Sequence, residues 1–341
     1  MQSNETLALE VRDLKKYFPI KKGVTQHTVG HVRAVDGVSF SIPHGKTFGL
    51  VGESGCGKTT IGRTILRLID PTEGSAIIDG VDVFKLKKKQ LRKIRPKFQM
   101  IFQDPFSSLD PRMSVGAIIG EAVREHNIVP RSEHNAYILK VMKQCGLRSF
   151  QVDRYPHEFS GGQRQRICIA RALALNPQLI IADEPVSALD VSIQAQVINL
   201  MKDLQEELGI SYLFISHDLS VVEYISDYVG VMYLGSLVEM GSKKALFKEP
   251  LHPYTRALLS AVPVPNPEVK MNRIILEGDV PSPANPPSGC KFHTRCRQCM
   301  EVCKNFEPKE NWVSEDHYVK CHLYDANIAE TADAALDTKS E

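Results

Sequence analysis

A glycine-rich loop with a lysine and a threonine at its end is the first place where this chain could do chemistry. Residues 52–59 read Gly-Glu-Ser-Gly-Cys-Gly-Lys-Thr, between an apolar run at 47–51 and apolar residues at helical spacing over 60–69. A loop between a strand and a helix directs backbone N–H groups and a helix N-terminus at one point, which suits a polyanion. Lys58 would reach the β- and γ-phosphates, and the Thr59 hydroxyl could bind Mg²⁺. The sequence therefore predicts a nucleoside triphosphate site formed by Gly52, Ser54, Gly55, Cys56, Gly57, Lys58, Thr59 and Thr60.

A pair of adjacent carboxylates forms the second candidate feature. Residues 159–163, Phe-Ser-Gly-Gly-Gln, open a predicted helix that runs to about residue 174, and the apolar strand predicted at 179–182 ends in Asp183 and Glu184. One carboxylate could hold magnesium while the other polarises the attacking water. Two acids at a strand end are often only a solvated turn, so this interpretation depends on the motifs that precede them.

Together these motifs resemble the ATP-binding cassette (ABC) ATPases. Ser-Gly-Gly-Gln at 160–163, followed about twenty residues later by an apolar strand ending in Asp-Glu-Pro, is specific to that family. The resemblance implies that Asp183 holds Mg²⁺, usually through water, and that Glu184 polarises the water that attacks ATP. It also implies catalytic roles for Gln103, which contacts Mg²⁺ and moves with the membrane partner, and for His217, which contacts the γ-phosphate.

Two further positions follow from the same resemblance. Ser187 to Asp190 match the segment that crosses the dimer interface. Phe18 matches the aromatic residue that stacks on adenine, and the adjacent Tyr17 is an alternative because either ring could stack. An aromatic pair near an N-terminal strand is equally typical of a core.

The resemblance also implies a composite ATP site. The signature residues Ser160, Gly161, Gly162 and Gln163 belong to a helical subdomain at roughly 106–176, too far from their own phosphate loop to complete it. In the family they reach the γ-phosphate held by the facing subunit. One copy of this chain is therefore expected to hold two half-sites.

To position these motifs the chain needs the α/β fold of a P-loop NTPase. We expect a parallel-sheet core near 7–105 and 177–240, an antiparallel β portion on its N-terminal side, and the inserted helical subdomain. A helix is predicted over 192–208, ended by Gly209. The expected boundaries are an ATPase domain at 1–261, a proline-rich connector with a cysteine-rich domain at 262–324, and a disordered polar tail at 325–341.

The composition limits the classes of protein to which this chain can belong. The length of 341 residues and 43% hydrophobic content allow a sizeable core, and the net charge of +2 gives no general attraction to nucleic acid. No apolar stretch approaches the length of a membrane span, and residues 1–10 lack the pattern of a signal peptide. We expect a protein that stays on the cytosolic side of the membrane.

Five of the eight cysteines lie within 32 residues, and they follow the connector: Cys290, Cys296, Cys299, Cys303 and Cys321. Disulfides are disfavoured in a reducing compartment. A zinc site with His293, His317 and His322 as spare ligands is open, as are free thiols. A [4Fe–4S] cluster, which takes four thiolates, is favoured by a resemblance to the peptide-permease branch of the ABC ATPases.

That branch carries Gly-Cys-x-Phe-x-x-Arg-Cys, a third cysteine seven residues on, and a last one in Val-x-Cys. The pattern assigns Cys290, Cys296, Cys303 and Cys321 as ligands, while Cys299 departs from it. The segment lies far from the nucleotide motifs in sequence, so we expect a structural cluster with little influence on ATP affinity at Lys58. Electron transfer or redox sensing by the cluster is an open alternative.

Residues 102–112, 217–222 and 252–259 also resemble the ATP-binding subunits of dipeptide and oligopeptide importers, most closely the F-type subunit. The resemblance implies a homologous D-type ATPase, two integral-membrane permease subunits and an external solute-binding protein as partners, with no nucleic acid. It also implies a peripheral position on the cytoplasmic face of the inner membrane.

Nickel importers share these motifs, and a metal- or redox-sensing regulator is a further alternative. ABC ATPases of translation or DNA repair carry two cassettes or a long coiled coil, and this chain has neither.

Overall fold

The computed structural model describes residues 6–24, 26–262 and 273–325. Its strands are β1 (Leu7–Lys22), β2 (His27–Pro43), β3 (Thr47–Val51), β4 (Glu73–Ile78), β5 (Val81–Asp82), β6 (Phe98–Ile101), β7 (Leu179–Asp183), β8 (Ser211–Ile215), β9 (Tyr228–Tyr233), β10 (Ser236–Ser242), β11 (Asn311–Ser314) and β12 (His317–Val319). Its α-helices are α1 (Lys58–Ile65), α2 (Lys88–Ile94), α3 (Val115–His126), α4 (His134–Gln144), α5 (Gly161–Leu173), α6 (Val191–Leu208), α7 (Leu219–Ile225), α8 (Lys243–Lys248), α9 (Pro253–Ser260) and α10 (Glu301–Asn305). Short 3₁₀ turns lie at Arg95–Lys97, Arg131–Glu133, Ser149–Gln151, Pro156–Glu158, His293–Arg295 and His322–Tyr324.

The main sheet has the strand order β11-β12-β10-β9-β3-β8-β7-β6. Strands β6, β7, β8, β3 and β9 are parallel, and every residue of β3, β7 and β8 is buried. Continuous apolar runs are typical of parallel strands covered on both faces. Because the carboxyl ends of parallel strands share one edge, the segments that follow β3, β6, β7 and β8 meet there.

A second sheet, with the order β2-β1-β4-β5, is antiparallel. Its apolar face packs with α1 and with part of β3 in one buried cluster that includes Leu9, Val38, Leu50 and Ile61. The predicted parallel core with an antiparallel N-terminal portion is therefore confirmed. In the part of the chain that the structure describes, no helix is both long and apolar enough to cross a membrane.

Helices α3, α4 and α5 lie between β6 and β7 and form the inserted helical subdomain. Their apolar faces share a buried cluster that contains Ile119, Val141 and Ile167. Helix α6 spans Val191–Leu208 and ends at Gly209, which adopts a left-handed φ of 66°. This helix matches the predicted one to within a residue.

The helix after the phosphate loop is shorter and earlier than predicted. We expected residues 60–69, whereas α1 begins at Lys58 and ends at Ile65. Arg67 takes a left-handed φ of 50°, and its guanidinium donates to the carbonyls of Val83 and Leu86. The N–H groups of Arg67 and Leu68 donate to the carbonyls of Thr64 and Arg63, at 2.8 and 2.9 Å, which is the left-handed cap that commonly ends a helix. Apolar spacing alone could not reveal this cap.

The C-terminal strands extend the main sheet. Strand β12 pairs with β10, and β11 pairs with β12. Residues 273–287 contain no helix or strand, while residues 263–272 of the predicted connector and 326–341 of the predicted tail lie outside the described residues.

A fully buried carboxylate, Glu239, fixes this edge of the sheet. It accepts hydrogen bonds from the backbone N–H groups of Leu251 and His252, at 2.8 and 2.9 Å, and lies 2.8 Å from Nε2 of His317 on β12. A buried carboxylate needs such partners to offset its loss of hydration. Glu239 therefore joins β10, β12 and the start of α9.

We predict that Glu239→Ala lowers the free energy of unfolding by about 2–4 kcal/mol, because two backbone donors and an imidazole lose their acceptor inside the protein. Urea unfolding measures this loss, and limited proteolysis should cut residues 311–325 faster. The matched control is Glu310→Ala, whose carboxylate is 43% exposed beside Lys320. Equal loss of stability in both variants would contradict the role assigned to Glu239.

Candidate nucleotide site

Two glycines of the phosphate loop lie where a side chain has no room. A Cβ at Gly52 would lie 2.2 Å from the Met232 carbonyl oxygen, and one at Gly57 would lie 2.0 Å from that of Ala34. Both residues have positive φ values, 153° and 106°. Glycine tolerates this conformation and this close approach, so the loop can turn tightly from β3 into α1.

Lys58 and Thr59 begin α1 on the inner side of the loop. The Lys58 ammonium donates to the carbonyl oxygens of Gly52 and Glu53, at 2.7 and 3.1 Å. It is buried beneath the loop, so a phosphate that enters the loop would meet a cation already in position. Ser54, Gly55, Cys56 and Thr60 complete the loop and the first turn, and Cys56 is buried in the core.

The hydroxyl of Thr59 donates to Oδ1 of Asp183 at 2.8 Å. Asp183, the last residue of β7, is buried, and this burial raises the pKa of its carboxyl although the Thr59 hydrogen bond acts in the opposite direction. An under-solvated carboxylate beside a hydroxyl is a donor set of hard oxygen atoms, which is what Mg²⁺ prefers. The two residues fit a magnesium ion bound between the phosphate loop and β7.

Glu184 contacts two other predicted site residues. Its Oε2 accepts a hydrogen bond from Nε2 of Gln103 at 2.9 Å and lies 3.2 Å from Nδ1 of His217. Glu184 has a left-handed φ of 47°, and its N–H donates to the Ile215 carbonyl of β8 at 2.9 Å. The structure thus brings together residues that follow β6, β7 and β8. A carboxylate held next to Asp183 can orient a water molecule and accept its proton.

The two candidate adenine-stacking residues differ in their surroundings. The Tyr17 hydroxyl donates to Asp36, and burial together with this bond raises the pKa of Tyr17 to about 12. Phe18 is 38% exposed, with the Lys16 ammonium 4.8 Å from its ring centroid. Tyr17 is therefore half-buried and fixed by a hydrogen bond, whereas Phe18 is exposed.

The signature residues cap the N-terminus of α5. The Ser160 hydroxyl accepts from the Gln163 N–H at 3.4 Å, and the Gln163 side chain accepts from the Ser160 N–H at 3.2 Å. Gly161 and Gly162 follow the cap, and a Cβ at Gly162 would lie 2.3 Å from Ile193 of α6. Ser160 and Gln163 are exposed. They lie in the helical subdomain, on a different element from the phosphate loop.

Comparison with known proteins identifies the family. The family model described as "ABC transporter" matches residues 35–187, and "Oligopeptide/dipeptide transporter, C-terminal region" matches residues 238–303. The oligopeptide transport ATP-binding protein AppF of Bacillus subtilis is 58% identical over 325 residues, which cover 94% of this chain and 99% of AppF. The chain belongs to the ATP-binding subunits of peptide ABC transporters. The predicted family is confirmed.

Other relatives of this ABC ATPase agree. The putative oligopeptide transport ATP-binding protein YkfD of Bacillus subtilis is 53% identical, with 93% of this chain and 95% of YkfD covered. Among solved structures, the ATP-binding cassette MJ0796, a dimer in a post-hydrolysis state with ADP and Pi, is 27% identical. It matches with a TM-score of 0.61 over 69% of this chain and 98% of MJ0796.

In this ABC ATPase the cysteine-rich segment contacts the phosphate loop directly. Arg295 donates through both terminal nitrogens to the Glu53 carboxylate, at 2.7 and 3.1 Å. The Tyr254 hydroxyl accepts from the Glu53 N–H at 2.9 Å. The segment that lies far from the nucleotide motifs in sequence is therefore in contact with them in space. Both residues lie in motifs that pointed to the family, yet nothing in their spacing pointed to Glu53.

The cysteines themselves form a partly buried group. The thiols of Cys290, Cys296, Cys303 and Cys321 lie near enough to influence one another electrostatically, and burial raises the pKa of Cys290 to about 12 and that of Cys321 to about 11. Cys299 interacts electrostatically with Cys296 and Cys303. All eight cysteines are free. Within residues 6–24, 26–262 and 273–325, no three His, Cys, Asp or Glu side chains are arranged to hold a single metal ion.

Proposed function

We propose that this chain hydrolyses ATP to drive the import of dipeptides or oligopeptides. The observation that carries this proposal is the meeting of Thr59, Asp183 and the Gln103–Glu184–His217 group at one edge of the sheet. The names of AppF and YkfD, both oligopeptide transport ATP-binding proteins, favour peptides over nickel and over a regulatory role. Purifying the assembled transporter and identifying the solute on its binding protein tests the substrate.

Each residue of the site has a distinct role in this proposal. The phosphate loop and Lys58 hold the β- and γ-phosphates, and Tyr17 or Phe18 supports the base. Thr59 and Asp183 would hold Mg²⁺, assisted by Gln103, and bound magnesium would neutralise charge that develops on the phosphates. Glu184 accepts the proton of the attacking water. His217, next to Glu184, contacts the γ-phosphate.

The ATP site is proposed to be shared between two subunits. Ser160, Gly161, Gly162 and Gln163 would contact ATP held by a homologous D-type ATPase, whose own signature would complete the site at Lys58. The exposure of Ser160 and Gln163 and the dimeric state of MJ0796 support this arrangement. Two membrane permease subunits and an external solute-binding protein would complete the transporter. The chain would be peripheral, on the cytoplasmic face of the inner membrane.

We also propose a [4Fe–4S] cluster held by Cys290, Cys296, Cys303 and Cys321. The permease pattern supports the ligand set, and the Cys290 N–H donates to the Cys303 carbonyl at 2.8 Å, so that two of the four residues lie side by side. Bound, the cluster would tie four separate parts of the segment together. Four thiolates around one zinc ion would be only about 3.8 Å apart, given Zn–S distances near 2.3 Å, whereas a four-iron cluster holds its thiolates further apart.

The spare histidines give weaker support to zinc. His293 Nδ1 lies 2.9 Å from the Cys290 carbonyl oxygen, and His317 Nε2 lies beside Glu239. His322 uses Nε2 for the Phe306 carbonyl, and its Nδ1 is buried without a partner among the described residues. His322 and Cys299 are therefore the replacements that a zinc site would require.

We predict that Glu184→Gln retains ATP binding but slows hydrolysis at this chain's phosphate loop by roughly 10²- to 10⁴-fold, because the amide cannot accept the proton of water. Single-site turnover and ATP affinity in the assembled complex measure the two effects separately. Glu206→Gln, at an exposed acid on α6, is the matched control. Lys58→Ala should instead weaken binding itself. Near-normal turnover in Glu184→Gln would exclude Glu184 as the base.

We predict that Ser160→Arg slows hydrolysis of the ATP held by the partner ATPase and leaves affinity at this chain's own loop largely unchanged. The reason is that the exposed cap of α5 lies in the helical subdomain, on a different element from the phosphate loop, and would meet the facing γ-phosphate. Turnover by each site can be followed in complexes where the other site carries its glutamate-to-glutamine change. Ser149→Arg, at another exposed serine of the helical subdomain, is the control. Loss of affinity at Lys58 would show that the signature acts within its own subunit.

We predict that protein purified without oxygen is brown, contains roughly equal iron and acid-labile sulfide, and loses both in Cys321→Ser. The C-terminal segment should then be cut faster by protease, since it is too short and polar to form a core alone. Cys299→Ser is the matched control and should keep its iron. Stoichiometric zinc without iron would reject the cluster and make His322 or Cys299 the next ligand to test.

A further inference from the structure

A bidentate ion pair joins the phosphate loop to the cysteine-rich segment across 242 positions of sequence. The side chain of Arg295 is 7% exposed and that of Glu53 is 28% exposed, so water screens the pair only in part. Both terminal guanidinium nitrogens donate, each to a different carboxylate oxygen. Parallel charge-assisted bonds of this kind fix the orientation of both groups.

The segment that carries Arg295 is itself anchored beside the loop. Phe292 packs against Tyr254, whose hydroxyl accepts from the Glu53 N–H, with ring centroids 5.3 Å apart. Lys291 donates to Asp36 at 2.7 Å. Glu53 is therefore held through its N–H by one element and through its carboxylate by another.

The charge on Glu53 creates a physical problem for a loop that binds a polyanion. Glu53 lies between Gly52 and the N–H groups that would surround the phosphates, and an unpaired carboxylate there would repel them. Its carbonyl oxygen also accepts from Lys58 at 3.1 Å, so a displacement of Glu53 would move the acceptor of the phosphate-binding lysine. Arg295 neutralises the charge and holds the position at the same time.

We propose that Arg295 is a positioning residue for ATP binding, acting through Glu53 on the charge and geometry of the phosphate loop. The proposal rests on the function proposed above, in that ATP binds at Lys58. Nucleotide affinity then depends on how the cysteine-rich segment packs against the phosphate loop. Arg295 itself need not touch the nucleotide.

The test measures KM and kcat for ATP in the assembled transporter. Arg295→Ala should raise KM by about tenfold, the effect of losing one charge-assisted contact, with a smaller change in kcat. Arg295→Lys keeps the charge but not the paired geometry and should give an intermediate KM. Arg297→Ala is the matched control because it removes an arginine two positions away whose partner, Glu277, is 80% exposed. Its KM should equal that of the unmodified protein.

A second substitution separates charge compensation from simple loss of structure. Glu53→Gln added to Arg295→Ala should restore most of the lost affinity, because the repelling carboxylate is gone and no buried cation is left unpaired. A segment that had merely become disordered would not be rescued in this way. A double variant as weak as Arg295→Ala, or an equal effect of Arg297→Ala, would overturn the proposal. ATP affinity that still depends on Lys58 in these variants would leave the proposed function itself intact.

Discussion

The register of the parallel strands is the constraint on which the site depends. Leu50 of β3 and Asp183 of β7 both pair with Ile215 of β8, and Ala182 pairs with Ile101 of β6. Four strands therefore end on nearly one line, and the residues that follow them emerge side by side. Backbone bonds continue the alignment past the strands, because Ser216 N–H donates to the Leu50 carbonyl and Glu184 N–H donates to that of Ile215. A shift of one residue in any pair would turn its side chains to the opposite face of the sheet.

The opposite edge of the sheet is completed by antiparallel strands, and its chemistry is structural. Strand β10 follows β9 through a tight turn, and β12 then covers an edge that would otherwise present unpaired backbone groups. Glu239 holds β12 in place from within the core, where its carboxylate accepts hydrogen bonds from two backbone N–H groups and lies beside His317. The C-terminal segment is thereby fixed to the same sheet that carries the phosphate loop, which allows Arg295 to reach Glu53.

The sequence was most informative where chemistry demands particular residues at strand ends. The loop at 52–59, the acids after β7 and the positions of Gln103 and His217 could all be predicted, because short motifs there sit between strongly periodic elements. The end of helix α1 was misplaced because a left-handed backbone cap at Arg67 ends it, at a residue type that does not usually mark such a cap. The contact between Arg295 and Glu53 could not be predicted from the sequence either. It joins segments that are brought together by the packing of Phe292 on Tyr254 and by the bond from Lys291 to Asp36, and no local pattern specifies those contacts.

Two acids at the nucleotide site share one solution to the same electrostatic problem. Burial alone would raise the pKa of Asp36, but hydrogen bonds from Lys291 and Tyr17 outweigh it and the pKa is lowered, so the carboxylate stays charged and paired. Glu53 is paired in the same way with Arg295, whose own pKa is raised chiefly by that hydrogen bond. Asp36 accepts a hydrogen bond from Tyr17, a candidate residue for stacking on adenine, and Glu53 belongs to the phosphate loop. Cations four positions apart in the C-terminal segment thus neutralise an acid at each end of the site. A site for a polyanion can carry acidic residues only if their charge is balanced locally, and here the balance is supplied from outside the core that forms the site.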